Sequence, residues 1–270
     1  MTYLLSTTII FLLLYFTIKD KSINFSYFDN KNIIITGASS GIGKSIANIL
    51  EQKTHANLFL LARSFETKDN KYKCDCSNYN ILKNVISKID SVDIVIHSAG
   101  MGDWKCLNEM DIKEVYGCLN APLLASINLT HLTLPKMIEK NAGQYIFIQS
   151  PVILQPWSSC TAYSISRWGM KGLAESLRAD LFNTNISISE IILGRTNSNY
   201  FKTNENADKR FPKIGNLIRR ISCSEAALSV IKTIVKKKEY EFYPNTMKLL
   251  VYLNNLFPSI VRYLTFKTSY

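Results

Sequence analysis

The first pattern in this chain able to hold a charged ligand is Thr36-Gly37-Ala38-Ser39-Ser40-Gly41-Ile42-Gly43. It follows a short β-branched run, Asn32–Thr36, and opens an amphipathic stretch over residues 41–52. At a strand–turn–helix junction each glycine has its own task. Gly37 permits the tight turn, Gly41 lets the backbone approach a pyrophosphate, and Gly43 lets the helix pack closely on the sheet. The helix N-terminus then presents unpaired N–H groups and a partial positive charge to phosphate. Ser39, Ser40, Gly41 and Ile42 are the expected contacts there. Metal chemistry is not expected. His55, His97 and His131 stand alone and read as surface or packing residues. Cys74-Asp75-Cys76 has no second pair at metal-site spacing.

Elements able to position such a turn follow in strict alternation. Residues 32–36, 57–61, 72–74, 93–97, 144–149, 186–193 and 240–243 read as strands. Residues 41–52, 81–89, 161–182 and 225–236 read as helices, as does a long region ending at Lys140 with Pro135 near its end. In the first helix Ile42, Ile46, Ile49 and Leu50 are expected to face inward. Apolar runs such as Ile33-Ile34-Ile35 and Ile94-Val95-Ile96 suit strands buried on both faces. The fold class is therefore α/β, a doubly wound parallel sheet of Rossmann type, binding ligands beyond the carboxyl ends of its strands.

The second strand ends Leu60-Leu61-Ala62-Arg63, with no acid to bond a ribose 2′-hydroxyl. Arg63 can instead pair with a 2′-phosphate, which favours NADP(H); a surface arginine covering the helix edge is the alternative.

The TGxxxGxG spacing of the glycine turn resembles that of the short-chain dehydrogenase/reductase family, and the resemblance runs from about Lys31 to Phe201. It implies that Asp75 contacts adenine. His97-Ser98-Ala99-Gly100 stands where the family has NNAG, matching at Ala99 and Gly100, and makes Ser98, Ala99 and Gly100 cofactor contacts. Leu193-Gly194-Arg195-Thr196-Asn197-Ser198 resembles PGxVxT, which borders the nicotinamide and brings in Gly194 and Ser198.

Ser150 and Tyr163, thirteen positions apart, match the family's catalytic Ser and Tyr. The resemblance implies that Tyr163 is the general acid or base, that Ser150 orients the substrate oxygen, and that the cation four residues after Tyr supports the phenol and the ribose. Positions i and i+4 share a helix face, so the two groups converge. That cation is Arg167 where the family has Lys. A guanidinium keeps the charge but releases no proton. Lys171, one turn on, is about 5.4 Å too far to substitute. The family's water-holding Asn falls on Pro122, with Asn120 two residues off and turned about 200° away. Pro122 would free a backbone carbonyl one turn earlier and kink the helix.

Of the 270 residues, 47% are hydrophobic, and the mean hydropathy of +0.01 reflects apolar ends. Residues 1–18 carry no side-chain charge and read as an uncleaved membrane anchor, with a cleaved signal as the alternative. Residues 19–30 are a linker, 31–246 the dinucleotide-binding catalytic domain, and 247–270 an apolar tail broken at Pro258. The tail is either a membrane-contacting amphipathic segment or a docked helix covering the core or pocket. Lys19 and Lys21 place the body in the cytosol. The net charge of +11 comes without an Arg-rich block, and Lys236-Lys237-Lys238 reads as a solvated helix end, so nucleic acid is not an expected partner. All six cysteines read as reduced thiols.

Two functions stay open. One is an NADP(H)-dependent carbonyl reductase or alcohol dehydrogenase acting on a lipophilic substrate. It would sit at a membrane, that of the endoplasmic reticulum by resemblance to membrane-bound hydroxysteroid-dehydrogenase-like members. The other is a catalytically impaired relative that binds dinucleotide as a scaffold or redox sensor. The resemblance also implies a homodimer through residues 123–139 and 161–182. Specificity is expected within residues 196–221 and the tail.

Overall fold

The computed structural model describes residues 22–198 and 206–267. The expected anchor over residues 1–18 lies outside them, as does part of the expected specificity region.

Strands β1 (Asn32–Thr36), β2 (Asn57–Ala62), β3 (Lys71–Lys73), β4 (Ile94–His97), β5 (Gly143–Gln149) and β6 (Ile186–Leu193) form most of one sheet. A short pair, β7 (Thr196–Asn197) and β8 (Ile221–Ser222), stands apart, and β9 (Tyr240–Tyr243) closes the main sheet. The order is β3-β2-β1-β4-β5-β6-β9, and every neighbouring pair is parallel. Chain order reverses between β1 and β4, which opens a crevice at their carboxyl ends.

The sheet is buried on both faces because each face carries helices. Helix α1 (Gly41–Lys53) and helix α6 (Cys223–Lys236) cover one side, over Ile33, Ile35, Ile94, Ile96 and Ile191. Helices α2 (Tyr79–Ile86), α4 (Ala125–Glu139) and α5 (Thr161–Asp180) cover the other, over Ile34, Val95, Tyr145, Phe147 and Ile188. Alternate residues of one strand thus feed opposite cores, as a pleated ribbon requires. In α1 the buried positions are Gly43, Ile46, Ala47 and Leu50. Ile42 and Ile49, also expected to face inward, pack against the same core at its margin and are partly buried.

The long region before Lys140 is not one regular helix. Helix α3 (Ile112–Leu119) passes into a π-turn at Asn120–Leu124 before α4 begins. Pro122 is buried in that turn. A proline has no N–H to give and its ring crowds the preceding turn, and a widened turn relieves both. The Ser126 hydroxyl donates to the Pro122 carbonyl at 2.6 Å. The tail forms helix α7 (Thr246–Leu256) and helix α8 (Pro258–Lys267). Met247, Val261 and Thr265 point into the molecule, while Leu249, Tyr252, Leu256, Phe257, Ile260 and Tyr263 are exposed. No helix of the described residues is long and apolar enough to cross a membrane.

Candidate active site

The glycine turn is tied down at its base. The Thr36 hydroxyl, at the end of β1, accepts from the backbone N–H groups of Ser98 (3.1 Å) and Ala99 (3.0 Å) just past β4. Gly37 adopts φ +67°, and a Cβ there would lie 2.9 Å from the Ala99 backbone. At Gly43 a Cβ would lie 2.6 Å from the Gly37 carbonyl oxygen, so the helix approaches the turn as closely as it does only without a side chain. Gly41, also at positive φ, faces open space, its nearest atom being the Ser198 Cβ at 3.8 Å. Ser40 is the N-cap of α1 yet makes no side-chain capping bond, so the first-turn N–H groups stay available to an anion.

A cavity of about 650 Å³ opens over this turn. Gly37, Ser40, Gly41, Ile42, Arg63, Ser98, Gly100, Ser150, Tyr163, Arg167, Gly194 and Ser198 all line it. A second cavity of about 360 Å³ is lined by Ser39, Asp75 and Ala99 together with Gly37, Ser40, Arg63 and Gly100. The two share that rim, so they join in one trough at the glycine turn. Gly43 lies beneath the turn rather than on the trough. Asp75 accepts from its own neighbour Ser77, through both the backbone N–H (3.0 Å) and the hydroxyl (2.7 Å). Asn120 lines the second cavity, not the cavity that holds Tyr163. The donor-rich turn, the uncapped helix and the joined volume of the two cavities fit a dinucleotide.

Tyr163 and Arg167 lie on the first two turns of α5, and Ser150 lies at the end of β5. All three are at least nine-tenths buried. Arg167 sits with its guanidinium carbon 5.1 Å from the centre of the Tyr163 ring. Its Nη1 donates to the Ile148 carbonyl at 2.8 Å. Its Nη2 occupies the space beside Gly100, where a Cβ would approach it to 2.7 Å. The cation therefore packs on the tyrosine while spending one arm on the β5 backbone.

Two features escaped the sequence reading. Beneath the site, the Gln149 amide donates to the wholly buried Glu190 at 3.0 Å and to the Arg167 carbonyl at 3.5 Å. Arg178 donates to the same Glu190 at 3.2 Å. Burial raises the Glu190 carboxyl despite that cation. Above the site stands an aromatic wall of Trp104, Trp157 and Phe211, with ring centres 5.2–5.7 Å apart. Neither group has a period or a spacing; the only sequence signal was an acid, Glu190, inside an apolar strand run.

Comparisons with known proteins agree with this architecture. The family model for short chain dehydrogenase matches residues 31–209. The NADP-dependent 3-hydroxy acid dehydrogenase of Schizosaccharomyces pombe is 26% identical over 205 residues, covering 68% of this chain and 79% of its own length. A ketoacyl reductase of Nostoc is 25% identical over 253 residues, covering 86% of each chain. Among solved structures, a short chain dehydrogenase of Burkholderia cenocepacia in complex with NADP superposes with a TM-score of 0.72 at 15% identity, over 86% of this chain and 95% of that one. A matched segment of that length, carried on the same doubly wound sheet, places this chain in the short chain dehydrogenase family of oxidoreductases.

Proposed function

We propose that the chain is an NADP(H)-dependent carbonyl reductase or alcohol dehydrogenase for a lipophilic substrate. One observation carries this reading: a single cavity brings the glycine turn and Arg63 together with Ser150, Tyr163 and Arg167. The nicotinamide supplies or accepts the hydride. Tyr163 moves the proton at the substrate oxygen, and Ser150 orients that oxygen by hydrogen bonding. Arg167 supports the phenol by its charge and offers donors toward a ribose, with Gly194 and Ser198 on the facing wall. Arg63 holds the 2′-phosphate, and the turn residues Ser39, Ser40, Gly41 and Ile42 hold the pyrophosphate. Ser98, Ala99, Gly100 and Asp75 bound the trough toward the adenine.

The apolar lining contributed by Leu154, Ile218, Leu250 and Val261 supports a lipophilic substrate, as does the ketoacyl reductase among the relatives. The outer face of α7 and α8 supports contact with a membrane. It is apolar, and residues 246–267 carry Lys248, Arg262 and Lys267 without an acid. An anchor over residues 1–18 and an endoplasmic-reticulum location belong to the same proposal. Exposed Leu124, Ile127, Ile165 and Trp168 support a homodimer through residues 123–139 and 161–182.

A second reading, an impaired dinucleotide-binding scaffold or sensor, is favoured by Arg167 and by Pro122, whose turn carries Asn120 to the second cavity. The Arg167 guanidinium is engaged with Ile148 and does not release a proton to a relay. NADPH oxidation with sterol, retinoid and keto-lipid carbonyls separates the two. For the enzyme, Tyr163→Phe lowers kcat/KM by about 10²-fold or more. Tyr163→Phe without effect, combined with activity that arises only on Arg167→Lys, would establish the scaffold instead.

A further inference from the structure

Cys74 and Cys76, just past β3, line the second cavity on either side of Asp75, and neither takes part in hydride or proton transfer. Cys74 is 2% exposed and Cys76 7%, yet both border this cavity, which gives a small reagent its way to them. The segment is held at both ends. The Cys74 N–H donates to the Ala62 carbonyl of β2 at 3.0 Å. The Asn128 amide, from α4, donates to the carbonyls of Cys76 (3.2 Å) and Ser77 (2.9 Å). Side chains two apart on extended chain point to one face, and here both pack into one cluster with Leu61, Leu82 and Val85. The two thiols meet, the Cys76 S–H donating to the Cys74 sulfur. Two residues of extended chain advance about 6.6 Å, which is inside the Cα separation that a disulfide spans. Both are free thiols in this structure.

The hydrogen bond gives the two sulfurs different characters. It lowers Cys74, against burial and the Asp75 charge, and it raises Cys76. Burial raises Cys118, Cys160 and Cys223. The thiolate is the reactive form of cysteine, so Cys74 is the attacking sulfur and Cys76 the neighbour that resolves what forms on it.

We propose that Cys74 and Cys76 are a reversible redox pair on the wall of the second cavity, closed to a disulfide by hydrogen peroxide and shielded when the adenine end of a dinucleotide fills that cavity. The Cys74 thiolate attacks one peroxide oxygen and the O–O bond breaks. The other oxygen leaves as hydroxide and takes up a proton, and Cys74 becomes a sulfenic acid. The Cys76 sulfur then bonds to the Cys74 sulfur as the S–O bond breaks, and the departing hydroxide leaves as water with the Cys76 proton. Two thiols lose two electrons in all, and one peroxide becomes two waters. The shielding rests on the dinucleotide reading of the trough; the pair itself does not.

The test uses the full chain and hydrogen peroxide, followed by alkylation and mass spectrometry. The tryptic peptide of residues 74–83 carries both cysteines and no other. It should be recovered unalkylated and two hydrogens lighter, before Cys106 or Cys223 is oxidised, and dithiothreitol should reverse the change. Oxidation of Cys106 or Cys223 with residues 74–83 still alkylated at both thiols overturns the proposal even where a variant does not fold. Cys76→Ser should stop the bridge and leave a sulfenic acid at Cys74 that dimedone captures; no capture at Cys74 also overturns it. Trp104 and Trp157 line the main cavity, so indole fluorescence follows NADP⁺ binding. At about ten times its Kd, NADP⁺ leaves about one site in eleven open, so bridging should slow about tenfold. An unchanged rate with NADP⁺ bound overturns the shielding. A bridge that forms in a protein with no affinity for NADP⁺ upholds the redox pair and defeats the dinucleotide reading instead.

Discussion

His97 should make this protein lose stability in acid by an amount that one residue can be shown to cause. It ends β4 in the middle of the sheet and is 1% exposed. Its ring stacks on Phe147 at 4.5 Å and lies 6.0 Å from Tyr145. Nε2 meets the Thr130 hydroxyl at 3.2 Å, and Nδ1 has no partner among the described residues. Burial in that apolar stack holds the imidazole down to about 3, from an ordinary 6.5. The folded state therefore refuses a proton that the unfolded chain accepts. The stabilisation is complete above pH 6.5 and is lost as pH falls toward the folded value. Each pH unit in that window costs about 1.4 kcal/mol, so about 3 kcal/mol disappears between pH 7.5 and pH 4. That is a large share of a typical domain's ~5–15 kcal/mol. Urea unfolding across this range, on the unaltered protein and on His97→Asn and His97→Phe, measures it. Carboxylates such as Asp93 and Glu241, whose values are lowered by Lys140 and Lys238, also lose stabilisation in acid. They do so equally in all three proteins and cancel in the difference. If the variants lose as much stability by pH 4 as the unaltered protein does, the assignment to His97 is refuted.

Other expectations follow from single contacts. Gly43→Ala puts a methyl 2.6 Å from the Gly37 carbonyl, so it should destabilise by about 1–3 kcal/mol and weaken NADPH binding, read by melting and by fluorescence titration. Arg63→Ala should weaken NADPH by about tenfold or more and leave NADH nearly unchanged; equal losses for both would remove Arg63 from the 2′-phosphate. Glu190→Ala strips the partner from Gln149 and Arg178 and should cost about 3–5 kcal/mol in urea unfolding, whereas Glu190→Gln should cost less because it still accepts from Gln149.

Much of the frame was legible because local rules write it. Asn32–Thr36, Ile186–Leu193 and Tyr240–Tyr243 are strands with the boundaries expected of them. Each is a short run rich in β-branched or aromatic side chains; the first two are largely buried, and Tyr240–Tyr243 closes the sheet at its edge, half-buried. The turn at Gly37–Gly43 was equally plain, since a positive φ and a close approach of backbones both exclude a side chain. Elsewhere the reading was partial. Pro122 announced an irregular turn in the long helical region, and the structure gives its form, a π-turn at Asn120–Leu124. In α1 the expected Ile46 and Leu50 are buried and Ile42 and Ile49 pack against the same core at its margin, while Gly43 and Ala47 supply the closest approach. The tail offered two readings, and its geometry bears on the docked one: Leu250, Asn254, Val261 and Thr265 of α7 and α8 line the cavity, while the opposite face is apolar and exposed.

Sequence alone determined the alternation of strands and helices, the tight glycine turn, and the pairing of Tyr163 with a cation four residues on, because each depends on backbone geometry over a few residues. Tertiary structure alone decided that Arg167 would spend an arm on Ile148, that Gln149 and Glu190 would meet beneath it, and that Trp104, Trp157, Arg195 and Phe211 would close one wall of one cavity. Those residues come from separate crossovers and loops. Their meeting is set by how the helices pack on the twisted sheet, a property that no repeat or spacing along the chain records.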